Sequence, residues 1–414
     1  MDQMGFSVTR SRISDLSQVS RSIRSDFLRL LACVALATPL LSACGSSNPP
    51  VTSSFAGTCL RHKAAPLALA IGARSNVPTE TLPPVITSLL QSAAAGGQPI
   101  SLIRIDGQPK VFSPPSFSTD AQNGPARQQA LTNYINGEIS PILQGKIHAQ
   151  APEADVLTSL DLAASAVGPG GNIVIVDSGL QTTGVLNYTQ SGLLMAPPAD
   201  VVRFLRQKNL LPDLNGRHVL LAGFGYTAAP QPILNEAQRN SVIKQWMAVI
   251  KAGGGCVSVD LTPDTTADLP NLPQVAIVTP PPTPAFSNCG TFALEDASTV
   301  GFVDGKASFR DPGAATTTLQ KLADKLKQGS EHITLIGGTS SEGSEALNNS
   351  LSKSRAEAVE TILVSMGISM SRITIKGDGS HWPGRVNDLG PGGVLLPAQA
   401  EQDREVIVQL PRCQ

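Results

Sequence analysis

Gly338-Thr339-Ser340-Ser341-Glu342-Gly343, followed by Asn348-Asn349-Ser350-Leu351-Ser352-Lys353-Ser354-Arg355-Ala356-Glu357-Ala358-Val359, decides how the C-terminal part of this chain reads. Small polar residues between glycines form a loop, and the second stretch has helical spacing. Leu351, Val359, Ile362 and Leu363 fall on one face, and Gly367 stands where a helix over 347–366 would stop. Arg355 is four residues from both Leu351 and Val359, so it belongs to that apolar face. A guanidinium there needs an anion, because an unpaired buried charge is strongly destabilising. The anion is either a ligand's or an internal acid such as Glu342 or Asp378. Outward from this helix the pattern predicts strands over 301–309, 332–338, 373–377 and 404–410, and a helix over 316–328. The Gly/Pro-rich segment after Gly379, beginning Ser380-His381-Trp382-Pro383-Gly384, reads as a surface loop.

These residues resemble the OmpA-like C-terminal domain, whose pattern is T-D-x-x-G, four residues, then N-x-x-L-S-x-x-R-A-x-x-V. Met366-Gly367-Ile368, Gly379, Pro383 and Arg404-Glu405-Val406-Ile407 agree as well. The resemblance covers the last 115 or so residues and implies a mixed α/β sandwich that binds peptidoglycan non-covalently, through the diaminopimelate side chain of the stem peptide. It implies that Arg355 clamps a carboxylate, a planar fork on a planar anion, and that Thr339, Ser340 and Asn348 shape the site. Ser340 stands where the family has Asp; a hydroxyl accepts a hydrogen bond but does not offset a ligand's cation. Glu342 is a candidate substitute. Asn348 reads equally as a helix-start cap.

Ahead of this domain, Pro270, Pro273, Pro280, Pro281, Pro282 and Pro284 crowd one short segment, which reads as a semi-rigid linker over 267–286. Residues 57–266 alternate strands (66–72, 100–105, 172–176, 217–222, 256–260) with helices (84–95, 126–143, 156–166, 235–251). That alternation predicts an α/β domain built on a parallel sheet. Gly223-Phe224-Gly225-Tyr226-Thr227-Ala228 fits G-x-G-x-x-A, but Pro230 and Pro232 interrupt the helix that dinucleotide binding requires. The order of elements resembles a von Willebrand factor A-type domain, with Ile173-Val174-Ile175-Val176-Asp177-Ser178-Gly179 as the matching strand. At the end of the first strand, Gly72-Ala73-Arg74-Ser75-Asn76 lacks that family's cation-binding Asp and Ser. Asp177 alone does not assemble an octahedral oxygen site, so it reads as a turn or cap residue, and no metal or cofactor is expected. No G-x-S-x-G, H-E-x-x-H or C-x-x-C occurs. The reading is not an enzyme, with an envelope hydrolase in the middle domain as a weaker third option.

The N-terminus sets the compartment. Arg10, Arg12, Arg21, Arg24 and Arg29 precede an apolar run over 30–41 that ends in Leu41-Ser42-Ala43-Cys44-Gly45. A dozen apolar residues do not span a bilayer, which takes about 20, but they suit a signal-peptide core. The motif resembles the bacterial lipobox, which implies a signal peptide over 1–43, lipidation at Cys44 and a tether over 44–56. Cys59, Cys256, Cys289 and Cys413 remain; they allow three pairings. Cys59–Cys256 and Cys289–Cys413 are favoured because each brackets one domain. The chain has 414 residues, 31 Lys+Arg against 32 Asp+Glu, and 4% aromatics. That balance removes the electrostatic case for nucleic acid. The expectation is a lipid-anchored protein on the extracytoplasmic side, at the outer membrane if the cell has one, linking membrane to wall. The alternative is an envelope adaptor whose terminal domain contacts protein partners.

Overall fold

Short apolar runs lay down the first sheet. The computed structural model describes residues 55–56, 59–60, 64–78, 82–122, 124–263, 271–281, 284–287, 289–295 and 297–411; the lipobox region and Cys413 lie outside them. Strands β1 (Phe55–Ala56), β2 (Leu67–Ile71), β3 (Ile100–Arg104), β4 (Lys110–Phe112), β5 (Asn172–Val176), β6 (His218–Ala222) and β7 (Cys256–Asp260) form a seven-stranded sheet in the order β1-β7-β6-β5-β2-β3-β4. The five inner strands are parallel, and β1 and β4 close the edges antiparallel. Every residue of β5 is buried, as a strand covered on both faces requires.

Alternate residues of β2 sort the helices. Ala68 and Ala70 join the core under α3 (Val156–Val167), α4 (Pro198–Gln207) and α5 (Glu236–Ala252). Leu67 and Leu69 join the core under α1 (Pro84–Ala95) and α2 (Gly124–Tyr134). The helix expected over 126–143 is α2 followed by two π-turns, Ile135–Ile139 and Ile142–Lys146.

In a doubly wound sheet the ligand crevice opens where strand order reverses, here between β2 and β5. That place is filled from within. Arg74 Nη2 lies 3.0 Å from Asp177 Oδ1, both side chains fully buried, and the Gly179 amide donates to the same carboxylate at 2.7 Å. Phe224, between the glycines of the G-x-G-x-x-A stretch, points into the core and meets Trp246 edge-on at 6.1 Å.

The second sheet has the order β10-β9-β11-β8, from β8 (Thr291–Glu295), β9 (Ile333–Gly337), β10 (Ile373–Gly377) and β11 (Glu405–Gln409). Helices α6 (Pro312–Leu326) and α7 (Glu345–Ser365) cover one face, and the short α8 (Pro397–Gln402) precedes β11. The strand expected over 301–309 is not there: β8 lies earlier, and 303–308 turn back through Asp304-Gly305, leaving one bridge between Phe302 and Phe309. Those two rings stack at 4.8 Å.

The described residues belong to one compact unit. Val278, Ala297 and Ala398 enter the same apolar cluster as Leu193, Met195 and Trp246. Among its described residues the proline-rich segment is tied to the α/β domain: Gln231 bonds both ways to Val278, at 2.6 and 2.8 Å, and the Ala276 amide donates to Glu153 at 3.1 Å. Cys59 and Cys256 are joined by a disulfide, and Cys289 is disulfide-bonded. Among the described residues no helix is long and apolar enough to cross a membrane.

Candidate functional site

Close packing of α7 on the sheet positions the site. A Cβ on Gly337, the last residue of β9, would fall 1.8 Å from the Ser352 carbonyl, so only glycine lets helix and strand approach this closely. Ser344 caps α7 by accepting from the Leu347 amide. Asn348 is therefore not the cap; its Nδ2 donates to the Ser340 carbonyl at 3.3 Å. The Thr339 amide donates to Gly379 at 2.8 Å, and the Gly379 amide to Ser352 Oγ at 3.0 Å. Loop 338–343 is thus stitched to α7 and to the end of β10.

Thr339, Ser340, Asn348 and Arg355 are all buried, with Arg355 only 1% exposed. Arg355 lies over the Phe302 ring at 5.1 Å, and its Nε donates to the Lys306 carbonyl at 3.1 Å. The turn at 303–308 therefore roofs the guanidinium.

Glu342 does not take the place of an acid at position 340. Its carboxylate turns to Arg203 of α4 at 2.5 Å and to Arg404 at 3.7 Å, and Arg404 in turn meets Asp200 of α4 at 2.5 Å. Two acids and two arginines so join α4 to the loop. Burial pushes Asp200 up to about 6 despite the Arg404 charge beside it. Burial would raise Glu342 too, but its hydrogen bond to Arg203 and that arginine's charge hold it below the usual carboxylate range.

The segment after Gly379, expected to be a surface loop, is partly core. Trp382 packs with Ile336 and Ile407, and Asp388 is fully buried. Asp388 Oδ2 accepts from the Ser341 amide at 2.6 Å, and Arg385 spans Ser341, Asp388 and Asp403. Burial pushes Asp403 up to about 6, against the opposing hydrogen bond from Arg385. Sequence reading missed Arg385 and Asp388, whose only signal was their charge within a Gly/Pro-rich stretch. Arg404 lay within the closing motif, but its partner Asp200 is 204 residues away.

Residues 302–390 match the model of the OmpA family. A 78-residue stretch is 38% identical to the photosystem I P700 chlorophyll a apoprotein A2 of Gloeobacter violaceus; it is 19% of this chain and spans only 9% of that relative. Among solved structures, the peptidoglycan-associated lipoprotein of Burkholderia pseudomallei is 24% identical over 30% of this chain and 88% of its own, with a TM-score of 0.23. The cell wall anchor of the T6SS from Pseudomonas aeruginosa is 21% identical over 30% and 81%, with a TM-score of 0.24. The periplasmic domain of Helicobacter pylori MotB is 14% identical over 30% and 76%, with a TM-score of 0.24. The chain carries an OmpA domain at residues 302–390.

Proposed function

We propose that this chain is a lipid-anchored cell-envelope protein that binds peptidoglycan non-covalently through its OmpA domain and so links membrane to wall. The arrangement is a signal peptide over 1–43, Cys44 lipidated, a tether over 44–56, the α/β domain over 57–266, the proline-rich segment over 267–286 and the wall-binding domain over 287–414. The observation that carries it is the setting of Arg355. This arginine stands on the inner face of α7, within the family match, on the helix whose Asn348 holds the Ser340 loop. Its Nε donates to the Lys306 carbonyl, and its guanidinium lies over the Phe302 ring. The carboxylate of a diaminopimelate side chain would offer that guanidinium a planar, bidentate, charge-assisted acceptor.

Co-sedimentation of the whole protein with insoluble peptidoglycan tests this. The protein should pellet with diaminopimelate-type wall, and Arg355→Ala should stay in the supernatant. A second reading, an adaptor that contacts envelope proteins, draws on Ser340 and on the loop acid Glu342 being engaged by Arg203 of α4. Failure to pellet with either diaminopimelate-type or lysine-type wall leaves that reading in its place.

A further inference from the structure

Three residues from separate loops hold one extended segment by its main chain. Ser75 Oγ donates to the Pro273 carbonyl at 3.1 Å, and the Glu153 amide donates to the Gln274 carbonyl at 3.3 Å. The Ala276 amide donates to Glu153 Oε2 at 3.1 Å. Gln231 closes on a single residue: its Oε1 accepts from the Val278 amide at 2.8 Å, and its Nε2 donates to the Val278 carbonyl at 2.6 Å. All five bonds fall on backbone groups, which any peptide carries. Side chains add shape: Val275 and Val278 are buried, Val278 in the cluster with Leu180 and Trp246, while Gln274 and Ile277 are exposed. No charged residue occurs from 271 to 281.

The segment lies where α/β folds bind ligands. Ser75 follows β2, and Gln231 belongs to the loop after β6. Glu153 sits beside the end of β3, where the Asp155 amide donates to the Asp106 carbonyl at 3.1 Å. The segment thus crosses the carboxyl edge of the sheet, outside which the ligands of doubly wound folds lie. The residues that read it are held ready. Glu153 has a φ of +70°, and Asn76, next to Ser75, one of +64°. Non-glycine residues in this left-handed region are uncommon and gather at ligand clamps. Gln231 is 3% exposed; its amide donates to the Ala228 carbonyl, and the Ala228 amide to the Asn76 carbonyl, both at 3.0 Å.

We propose that this edge is a peptide-binding groove and that residues 273–278 fill it in cis. Its partner is an extended, uncharged segment of another protein, with small apolar residues three positions apart. That spacing is set by Val275 and Val278, the two side chains the groove buries. Pro273 and Pro280 keep the resident segment extended, because neither they nor the residues before them favour helix. A partner's segment takes the same five main-chain bonds, so resident and partner exclude one another. The groove gives the α/β domain a ligand class of its own and does not depend on the peptidoglycan reading.

The test uses the whole protein and a fluorescein-labelled peptide of residues 271–281, with binding read from anisotropy. The wild type, its groove filled, should bind weakly. Val278→Asp unseats the resident segment without touching Ser75, Glu153 or Gln231, and should bind the peptide roughly 10-fold more tightly or better. Adding Gln231→Ala to that variant should remove most of the gain. A peptide carrying Gln274→Ser and Ile277→Ser should bind within about 3-fold of the original, since main-chain bonds carry the affinity and the buried sockets the specificity. A folded Val278→Asp protein that binds no better than the wild type overturns the groove. So does a gain that survives Gln231→Ala, which puts the peptide elsewhere. A large loss with the doubly changed peptide makes the contact private to this chain and overturns the partner. Wild-type dimers in light scattering that Val278→Asp abolishes make the occupant a second copy, and overturn the partner as well. Should Val278→Asp fail to fold, Val275→Asp at the other anchor opens the groove in its place.

Discussion

Arg355 owes its place to helical spacing, and that much was legible: an arginine between Leu351 and Val359 faces inward whatever the tertiary structure. What it touches was not, because Phe302 and Lys306 come from a turn about fifty residues earlier. Arg355→Lys keeps the charge but loses the planar fork, so wall co-sedimentation should fall nearly as far as in Arg355→Ala. Asp388 and Arg385 lie in a segment with no periodicity, and only the fold brings them to Ser341. Glu405 gives a separate prediction. Burial, then Glu295 opposite and Asp403 nearby, pushes it up to about 8. The native state therefore keeps a proton that the unfolded chain gives up above its ordinary pKa of 4.5. Stability from this group is present at low pH and is lost as pH rises toward 8. Glu405→Gln should be close to neutral at pH 4 and stabilising by about 1–3 kcal/mol at pH 9, read from urea denaturation at both values.

At the scale of elements, the parallel strands and the longer helices were readable from uninterrupted apolar runs and 3.6-residue spacing. Helix α4 was not, because Pro197-Pro198 looks like a break. Proline is tolerated at the first helical position, and Val201, Phe204 and Leu205 then supply the buried face. The strand expected over 301–309 failed for the opposite reason: Asp304-Gly305 turns a β-like run back on itself. The contact of α4 with loop 338–343 is energetically uneven. Asp200→Ala removes the nearest carboxylate from Arg404, which is 5% exposed, and should cost about 2–4 kcal/mol. Arg203, 38% exposed, should cost under about 1 kcal/mol when changed to alanine. Urea midpoints of the two variants at pH 7 measure the difference.

For the whole molecule, proline density suggested two bodies on a semi-rigid segment, and composition alone does not show what a proline-rich stretch lies against. Here Val275 and Val278 are buried, and Ala297 and Ala398 share a cluster with Leu193 and Trp246. A Cβ on Gly192, whose φ is +93°, would fall 2.3 Å from the Ala398 carbonyl, so the backbones nearly touch across this junction. Calorimetry should accordingly show one cooperative transition with matching calorimetric and van't Hoff enthalpies, rather than two separable peaks. The Cys59–Cys256 bond carries a mechanical consequence. Tension applied at the amino terminus and resisted at residues 302–390 enters at Cys59, crosses the sulfurs to Cys256 and continues along β7. The 197-residue span between those cysteines is out of the line of load. In a pulling experiment, the roughly 650–700 Å of contour stored in that span should be released only after reduction. The α/β fold would thus hang beside the taut cable rather than form part of it.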